Sequence, residues 1–338
     1  MPEAVAAATA AWAVLVLLDL LLNGRWWLWL VVSLAPPPAF VVVPAALAGA
    51  ALAAGGAWRD AVLWTCAACL VAGYRRCGID LTALVRRRRP VTSAPELTVC
   101  VWNTEHWYQG GEAGPFYAAL RALDADVLML QEYHHNNFDG TWSAIDDLGR
   151  LREAFPGHHV IAANGQVTVS RLPARHVPTS AERVLRVDVE APSGTVSLLN
   201  VHVPVQLRQI SPFRAEFYRE VRARARHRDR EYTALAADVA ALGHPALVAG
   251  DFNTSPAMGD ARRIRALGDD AARWAALAYP RSWHARGPRL WRIDWALVRN
   301  GLEVHDYRFD DAAGISDHRV QRLVAGVGTR HRPNERST

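Results

Sequence analysis

The chain has 338 residues, 51% of them hydrophobic, which is enough for one large domain and a further apolar unit. Its formal charge of +5 is modest and falls partly in one arginine run, so charge alone does not argue for nucleic acid. Four cysteines show neither a disulfide framework nor the paired spacing of a zinc site, which favours a reducing compartment.

Residues 4–23 contain a single charge, Asp19, and residues 26–57 and 61–74 contain none. Each of the first two segments is long enough to cross about 30 Å of hydrocarbon; the third is so only if counted from Trp58 to Arg75. Trp26, Trp27, Trp29 and Trp58 stand at segment ends, where an aromatic belt would place them. Pro36, Pro37, Pro38 and Pro44 would kink the second segment. A cleaved signal peptide fits poorly, because only Glu3 precedes the first segment and two more apolar segments follow it. Residues 1–75 are therefore expected to form about three transmembrane helices of an integral membrane protein. A two-span hairpin with an interfacial third segment is the alternative. Arg75, Arg76 and the run Arg86–Arg89 follow the third segment, so the positive-inside rule puts the C-terminal part in the cytoplasm and Arg25 in a cytoplasmic loop. That run also reads as a solvated linker or as an attraction for anionic lipid headgroups.

Residues 76–95 form a basic, proline-containing linker, and from Leu97 short strands alternate with helical stretches. Strands are predicted at 97–103 and 126–132, with helices at 114–123 and about 142–154. Strands at 158–164 and 166–171 follow, then a hairpin over 183–203 with a Pro-Ser-Gly turn. A long helix over 212–242 precedes strands at 247–250, 292–299 and 318–327, and 331–338 reads as a disordered tail. This order predicts an α/β fold over 96–330: a four-layer α/β sandwich of two packed mixed sheets flanked by helices. The arginines of the long helix (214, 219, 222, 224, 226, 228 and 230) are spread around it rather than aligned. They read as a solvated face, with phosphate or lipid-headgroup contact as the alternative.

Several strands end alike. "LVAGDFNTSP" (247–256) is an apolar strand running into Asp251 and Asn253, which period-2 alternation puts on one face, with Phe252 turned to the core and Gly250 clearing space for a close approach. "VWNTE" ends in Asn103, "MLQE" in Glu132 and "NVHVP" in His202; "RIDW" carries Asp294, and "GISDHR" sets Asp317 and His318 before the last strand. Turn residues account for one or two such endings; six describe a site at one edge of a sandwich. Oxygen ligands from Asn, Asp and Glu suit a hard cation such as Mg²⁺ better than zinc, and two histidines beside carboxylates supply acid–base capacity. Glu105 reads as a loop residue, with an extra ligand as the alternative, and His106, His134 and His135 are expected at exposed loop positions.

The ordered set "WNTE", "LQE", "NVHVP", "GDFN", "RIDW" and "SDH", with the "SR-P" strand in "QVTVSRLP", resembles the endonuclease/exonuclease/phosphatase superfamily over about 97–327. The resemblance implies hydrolysis of phosphate esters with Mg²⁺ or Mn²⁺. Position by position, it implies Glu132 as principal metal ligand with Asn103 beside it and Asp317 on the metal side. It implies Asp251 (also near the metal) orienting or deprotonating the attacking water, Asn253 holding a phosphate oxygen, and His318 at the scissile phosphate with Asp294 fixing its ring. His202 would bind a phosphate oxygen or assist the leaving group. Many base-repair nucleases of this superfamily have tyrosine where this chain has His202, so the resemblance leans to deoxyribonuclease-like or phosphatase-like branches. The reading is a membrane-anchored, metal-dependent phosphoesterase acting on nucleic acid or on a lipid or small-molecule phosphate ester. The alternatives are a non-catalytic, membrane-tethered binding module and a small transporter whose one intramembrane handle is Asp19.

Overall fold

In a computed structural model, the described residues are 2–328 without 86–90, 110, 138–140, 208–209, 275–277, 286 and 313. The arginine run and the tail expected at 331–338 lie outside them.

The chain opens with four helices, α1 (Pro2–Leu22), α2 (Trp29–Val32), α3 (Ala39–Ala54) and α4 (Arg59–Gly73). The expectation of about three spanning helices is corrected: among the described residues α1 alone is long and apolar enough to cross a membrane. The prolines are the reason. Pro36, Pro37 and Pro38 lack the amide hydrogens a continuous helix needs, so a helix starts after them but does not run through them. That leaves 16 residues in α3, a length of about 24 Å, and α4 has 15, beginning at the charged pair Arg59 and Asp60.

Helices α1, α3 and α4 pack on one another through Trp12, Val16, Phe40 and Cys69. Outward, the unit is apolar: Leu17, Leu21, Val42, Leu52, Trp64 and Val71 are exposed. Asp19 is no exposed handle. It is buried, accepts hydrogen bonds from Asn23 Nδ2 and Trp29 Nε1, each at 2.7 Å, and pairs with Arg76. One end of the unit rests on the rest of the protein. Asn23 Nδ2 donates to Ala257 O (2.7 Å), Gly259 N donates to Asn23 Oδ1 (2.6 Å), and Trp291 Nε1 donates to Leu34 O (3.1 Å). Only glycines fit where Gly24 meets Gly259, because a Cβ on Gly259 would lie 2.3 Å from Gly24 N.

The remaining elements are, in order, β1 (Leu97–Asn103), α5 (Ala113–Ala122), β2 (Val127–Gln131), β3 (His134–Asn136), β4 (Trp142–Ala144), α6 (Leu148–Ala154), β5 (His159–Ala163), β6 (Gln166–Ser170), β7 (Ala174–Val177), β8 (Val184–Ala191), β9 (Gly194–His202), α7 (Ala215–Ala240), β10 (Ala246–Asp251), α8 (Ala261–Ala266), β11 (Asp269–Asp270), β12 (Asp294–Arg299), β13 (Leu302–Asp310) and β14 (Val320–Val327). One six-stranded sheet has the order β13-β14-β1-β2-β6-β5 and the other β11-β12-β10-β9-β8-β7. Both are mixed: β1 runs parallel to β2, and β9 to β10, among antiparallel neighbours. The helix expected over 142–154 is shorter than predicted, because Trp142–Ala144 pairs with His134–Asn136 as a separate hairpin.

Strand alternation builds the layers. Val99, Val101, Val127, Met129, Leu198, Leu247 and Ala249 face the space between the sheets. Their neighbours Cys100, Trp102, Leu128 and Leu130 pack outward on Phe116, Leu120 and Leu151 of α5 and α6. On the other side, Leu199, Val201, Ala246 and Val248 pack on Tyr232, Leu235 and Ile264 of α7 and α8. Because both faces of the central strands are buried, their sequences are nearly continuous apolar runs.

Candidate active site

The same alternation aims the polar strand ends. Counting in twos from Val99 and Val101 reaches Asn103; from Leu198, His202; from Leu247 and Ala249, Asp251; and back from Ala296 and Val298, Asp294. All four belong to the inter-sheet row, at the edge where the hydrophobic filling stops. Asp251 pairs in register with His202 on one side and Asp294 on the other. Gly250 is needed for the sheet itself: its φ is 147°, and a Cβ there would lie 2.0 Å from the carbonyl of Val201 on β9.

Glu132 is out of step with this row, since its even count puts it with the outward-facing Leu128 and Leu130. Its φ of 62° turns the backbone and brings the carboxylate back to the edge. There Asn103 Nδ2 donates to Glu132 Oε1 (3.1 Å) and to Asp251 Oδ2 (3.0 Å), joining one sheet to the other. Asn103 Oδ1 faces away and accepts from Glu105 N (3.0 Å). His202 Nε2 lies 3.5 Å from Glu132 Oε1 and 3.9 Å from Asp251 Oδ2. Asn253, with φ 47°, donates its backbone N–H to Asp251 Oδ1 (2.7 Å), and its Nδ2 donates to Asp251 Oδ2 (3.1 Å) and Val203 O (2.9 Å).

His318 is held from both ends of its own segment. Its backbone N–H donates to Ser316 Oγ (3.0 Å), which in turn donates to Asn103 O (2.8 Å). Its Nδ1 sits 2.9 Å from Asp294 Oδ2, and its Nε2 lies 3.8 Å from both Asp251 Oδ2 and Asp317 Oδ1. Ser282 Oγ accepts from the N–H groups of Ile293 and Asp294 (3.1 and 3.2 Å) and so fixes the start of β12. Asp317 accepts from Trp283 Nε1 (2.7 Å) while its N–H donates to Glu105 Oε2 (2.9 Å).

Glu105 and His106 lie in a loop as expected, but none of the three histidines is exposed, and His134 and His135 belong to β3. Glu105, His106 and Trp107 have consecutive φ values of 53°, 64° and 63°, a left-handed turn that folds the chain back over the strand ends. His106 is therefore not a free loop histidine: its Nδ1 is 2.8 Å from Glu132 Oε2, and its N–H donates to the same oxygen at 2.8 Å. His134 is buried, edge-on to Trp142 at 4.3 Å, and His135 is half-buried. No sequence motif announces this turn; "NTEHW" has no glycine or asparagine at the three left-handed positions.

Electrostatically, the edge carries more negative charge than its own cations balance. Burial pushes the Asp251 carboxyl up, with Asp294 adding to the effect and His318 opposing it. Burial would lower His318, but the charges of Asp294 and Asp251 outweigh it and raise the imidazole well above its usual range. Burial also raises Glu105, helped by Asp317. For Glu132, burial is outweighed by hydrogen bonding to His106 and the nearby imidazoles, and the carboxyl falls below its usual range. His202, buried, is pushed down to about 4 and stays uncharged at neutral pH. His106, Glu132 and His134, and separately Asp251, Asp294 and His318, each bring three ligand atoms within 4.8 Å of one another. Carboxylate oxygens from Glu132 and Asp251, drawn to one amide, are the donor chemistry of a hard divalent cation. The residues fit such an ion.

The fold is a four-layer α/β sandwich that carries acid, amide and imidazole groups from both sheets at one edge. The sequence pattern of the Endonuclease/Exonuclease/phosphatase family matches residues 102–318, well over half of the chain, and the chain belongs to that family. Among solved structures, the AP endonuclease LMAP from Leishmania major is similar, with a TM-score of 0.51 and 15% identity over 73% of this chain and 95% of its own. The endonuclease/exonuclease/phosphatase from Beutenbergia cavernae DSM 12333 has a TM-score of 0.48 and 18% identity over 70% and 72%. Sphingomyelinase C from Streptomyces griseocarneus has a TM-score of 0.44 and 17% identity over 69% and 100%. A search of curated proteins finds no match.

Proposed function

We propose that this chain is a divalent-metal-dependent phosphoesterase held at a membrane by α1, with a phosphodiester as substrate. The observation that carries the reading is the meeting of Glu132 and Asp251 on the Asn103 amide, beside the oriented His318–Asp294 pair. Glu132 and Asp251, with Asp317 nearby, would hold Mg²⁺ or Mn²⁺. When bound, that ion supplies positive charge against the charge that grows on the phosphate oxygens. Asn103, as placed, donates to the carboxylates and would orient them; a role as ligand requires its amide to turn. Asp294 fixes the His318 ring through Nδ1 and leaves Nε2 facing the edge, where the charged ring donates to a non-bridging oxygen. Asp251, held by the Asn253 N–H, is placed to orient or deprotonate water. Both Nδ2 hydrogens of Asn253 are engaged, so holding a phosphate oxygen would replace its Asp251 contact. His202, uncharged and at the same edge, donates to a phosphate oxygen or the leaving group.

Two substrates compete. A nucleic-acid phosphodiester is the nuclease-like reading. A lipid headgroup has one specific observation in its favour: Trp291, bonded to Leu34 of the helical unit, packs on Trp283 at 5.5 Å, and Trp283 holds Asp317. The apolar helices thus sit two aromatic side chains from the edge. Arg25, just after α1, supports a cytoplasmic orientation of that edge by the positive-inside rule.

The test uses the full chain in detergent, with bis-p-nitrophenyl phosphate, plasmid DNA and a phospholipid panel assayed side by side. Turnover abolished by EDTA and restored by Mg²⁺ or Mn²⁺ is expected, and the preferred substrate chooses between the two. Folded protein with no metal-dependent turnover on any of them would favour a binding module. Anchoring is tested separately: the chain should stay in the membrane pellet after alkaline carbonate, and its release would contradict the role given to α1.

A further inference from the structure

Away from the catalytic edge, a cavity of about 660 Å³ opens between the loop after α1 and the helices α7 and α8. Arg25, Trp26 and Trp27 form one wall, and Arg226, Arg262 and Arg263 the other. Arg228 adds a fifth guanidinium at the base, 1% exposed, with its Nε–H lacking a hydrogen-bond partner. Five arginines face two carboxylates, Asp229 and Asp260. Those two are already committed, Asp229 to Arg263 at 2.6 Å and Asp260 to Arg228 at 3.2 Å. Arg226 and Arg262 have no acidic partner among the described residues. Among the described residues, the Arg25 guanidinium has no acidic partner and donates to the carbonyl of Leu21. Arg25, Arg226 and Arg262 are exposed, so solvent screens them, but an excess of like charge gathered around one opening raises the local concentration of anions there.

The position narrows the anion. The wall with Arg25, Trp26 and Trp27 begins where the apolar helix α1 ends. A basic residue and two indoles just past an apolar helix is the arrangement of a membrane interface, and guanidinium groups suit phosphoryl oxygens, to which they offer paired donors. We propose that this cavity binds the phosphoryl group of an anionic lipid headgroup, with Arg226 and Arg262 as its principal donors and Trp26 and Trp27 beside the headgroup. The proposal rests on α1 being a membrane helix, and not on catalysis.

The experiment measures thermal unfolding of the full chain in dodecyl maltoside and EDTA, so that neither helix insertion nor turnover enters the readout. Short-chain phosphatidylglycerol, phosphatidylcholine, inorganic phosphate and a short oligo(dT) are titrated in parallel. Phosphatidylglycerol should raise the unfolding midpoint saturably, and the double variant Arg226→Ala/Arg262→Ala should bind it roughly tenfold or more weakly. Arg230→Ala, on the same helix but outside the cavity, should bind it like the parent. An equal response to phosphatidylcholine, a response to inorganic phosphate alone, or a stronger response to the oligonucleotide would overturn the assignment. So would a phosphatidylglycerol response that survives intact in a folded double variant. Carbonate extraction reports α1 independently, so failure of the anchor and failure of the cavity are distinguishable.

Discussion

A glutamate at φ 62° pays a backbone cost on the order of 1–3 kcal/mol. At Glu132 that strain returns to the shared edge a carboxylate that alternation would have sent outward, and Asn103 and His106 hold it there. The histidine opposite depends on a neighbour in a different way. The Asp294 carboxylate meets His318 at the nitrogen away from the edge, so Asp294→Asn, which keeps the shape, should lower kcat by about 10²–10⁴-fold while retaining a cooperative unfolding transition. Steady-state kinetics on bis-p-nitrophenyl phosphate check this; an unchanged kcat would mean that ring orientation does not matter. Asn103, His202, Asp251 and Asp294 were legible as one cluster because each stands where an apolar strand begins or ends, and in the structure a period of two places them on the inter-sheet row. His106 was not, because a three-residue left-handed turn with ordinary side chains leaves no mark in sequence.

The helix α7 shows why spacing alone misjudged an element. Seven arginines around a helix read as a solvated surface, yet Arg228 is buried and ties the helix to the sandwich. Its guanidinium donates to Pro204 O and Thr254 Oγ1 and pairs with Asp260, and Tyr232 bonds to the same threonine at 2.8 Å. Thr254 follows Asn253, so the helix braces the strand end that carries Asp251. Arg228→Ala leaves these acceptors without their donor and should cost roughly 3 kcal/mol or more, measured by chemical denaturation. A loss below about 1 kcal/mol would show that water replaces the guanidinium freely. Strand β13 was missed for a comparable reason. Leu302 and Val304 start an alternation that Tyr307 and Phe309 resume one step out of phase, because the register shifts between Val304 and Asp306. The short β3–β4 hairpin hid inside a stretch that also contains a genuine helix start.

At the scale of the whole molecule, the second sheet and its edge loops are clamped by a partly buried ion pair. Arg292, next but one to Asp294, donates two hydrogen bonds to Asp270 at 2.7 and 2.6 Å and lies over Trp295 at 4.2 Å. Burial would raise the Asp270 carboxyl, but the Arg292 charge and hydrogen bonds outweigh it and hold the group below its ordinary value. A carboxyl lowered on folding contributes stability above its unfolded value, near 4, and loses it as pH falls through the folded value. The unfolding midpoint should therefore drop as pH is taken below about 4, and Asp270→Asn should start lower at neutral pH and drop less. Equal acid sensitivity in both proteins would contradict this. The helical unit was legible as apolar segments, but its number of spans was not. Hydropathy sees residues 26–57 as one segment, whereas three consecutive prolines divide it.

The most direct test of the catalytic reading is Mn²⁺ binding to the full chain, measured by titration calorimetry on the parent protein and on Glu132→Gln. The parent should bind Mn²⁺ saturably, and Glu132→Gln, which keeps the shape and removes the charge, should weaken that binding by about tenfold or more while retaining a cooperative unfolding transition. Equal Mn²⁺ affinity in the two folded proteins would contradict the assignment of this edge as a metal-dependent phosphoesterase centre.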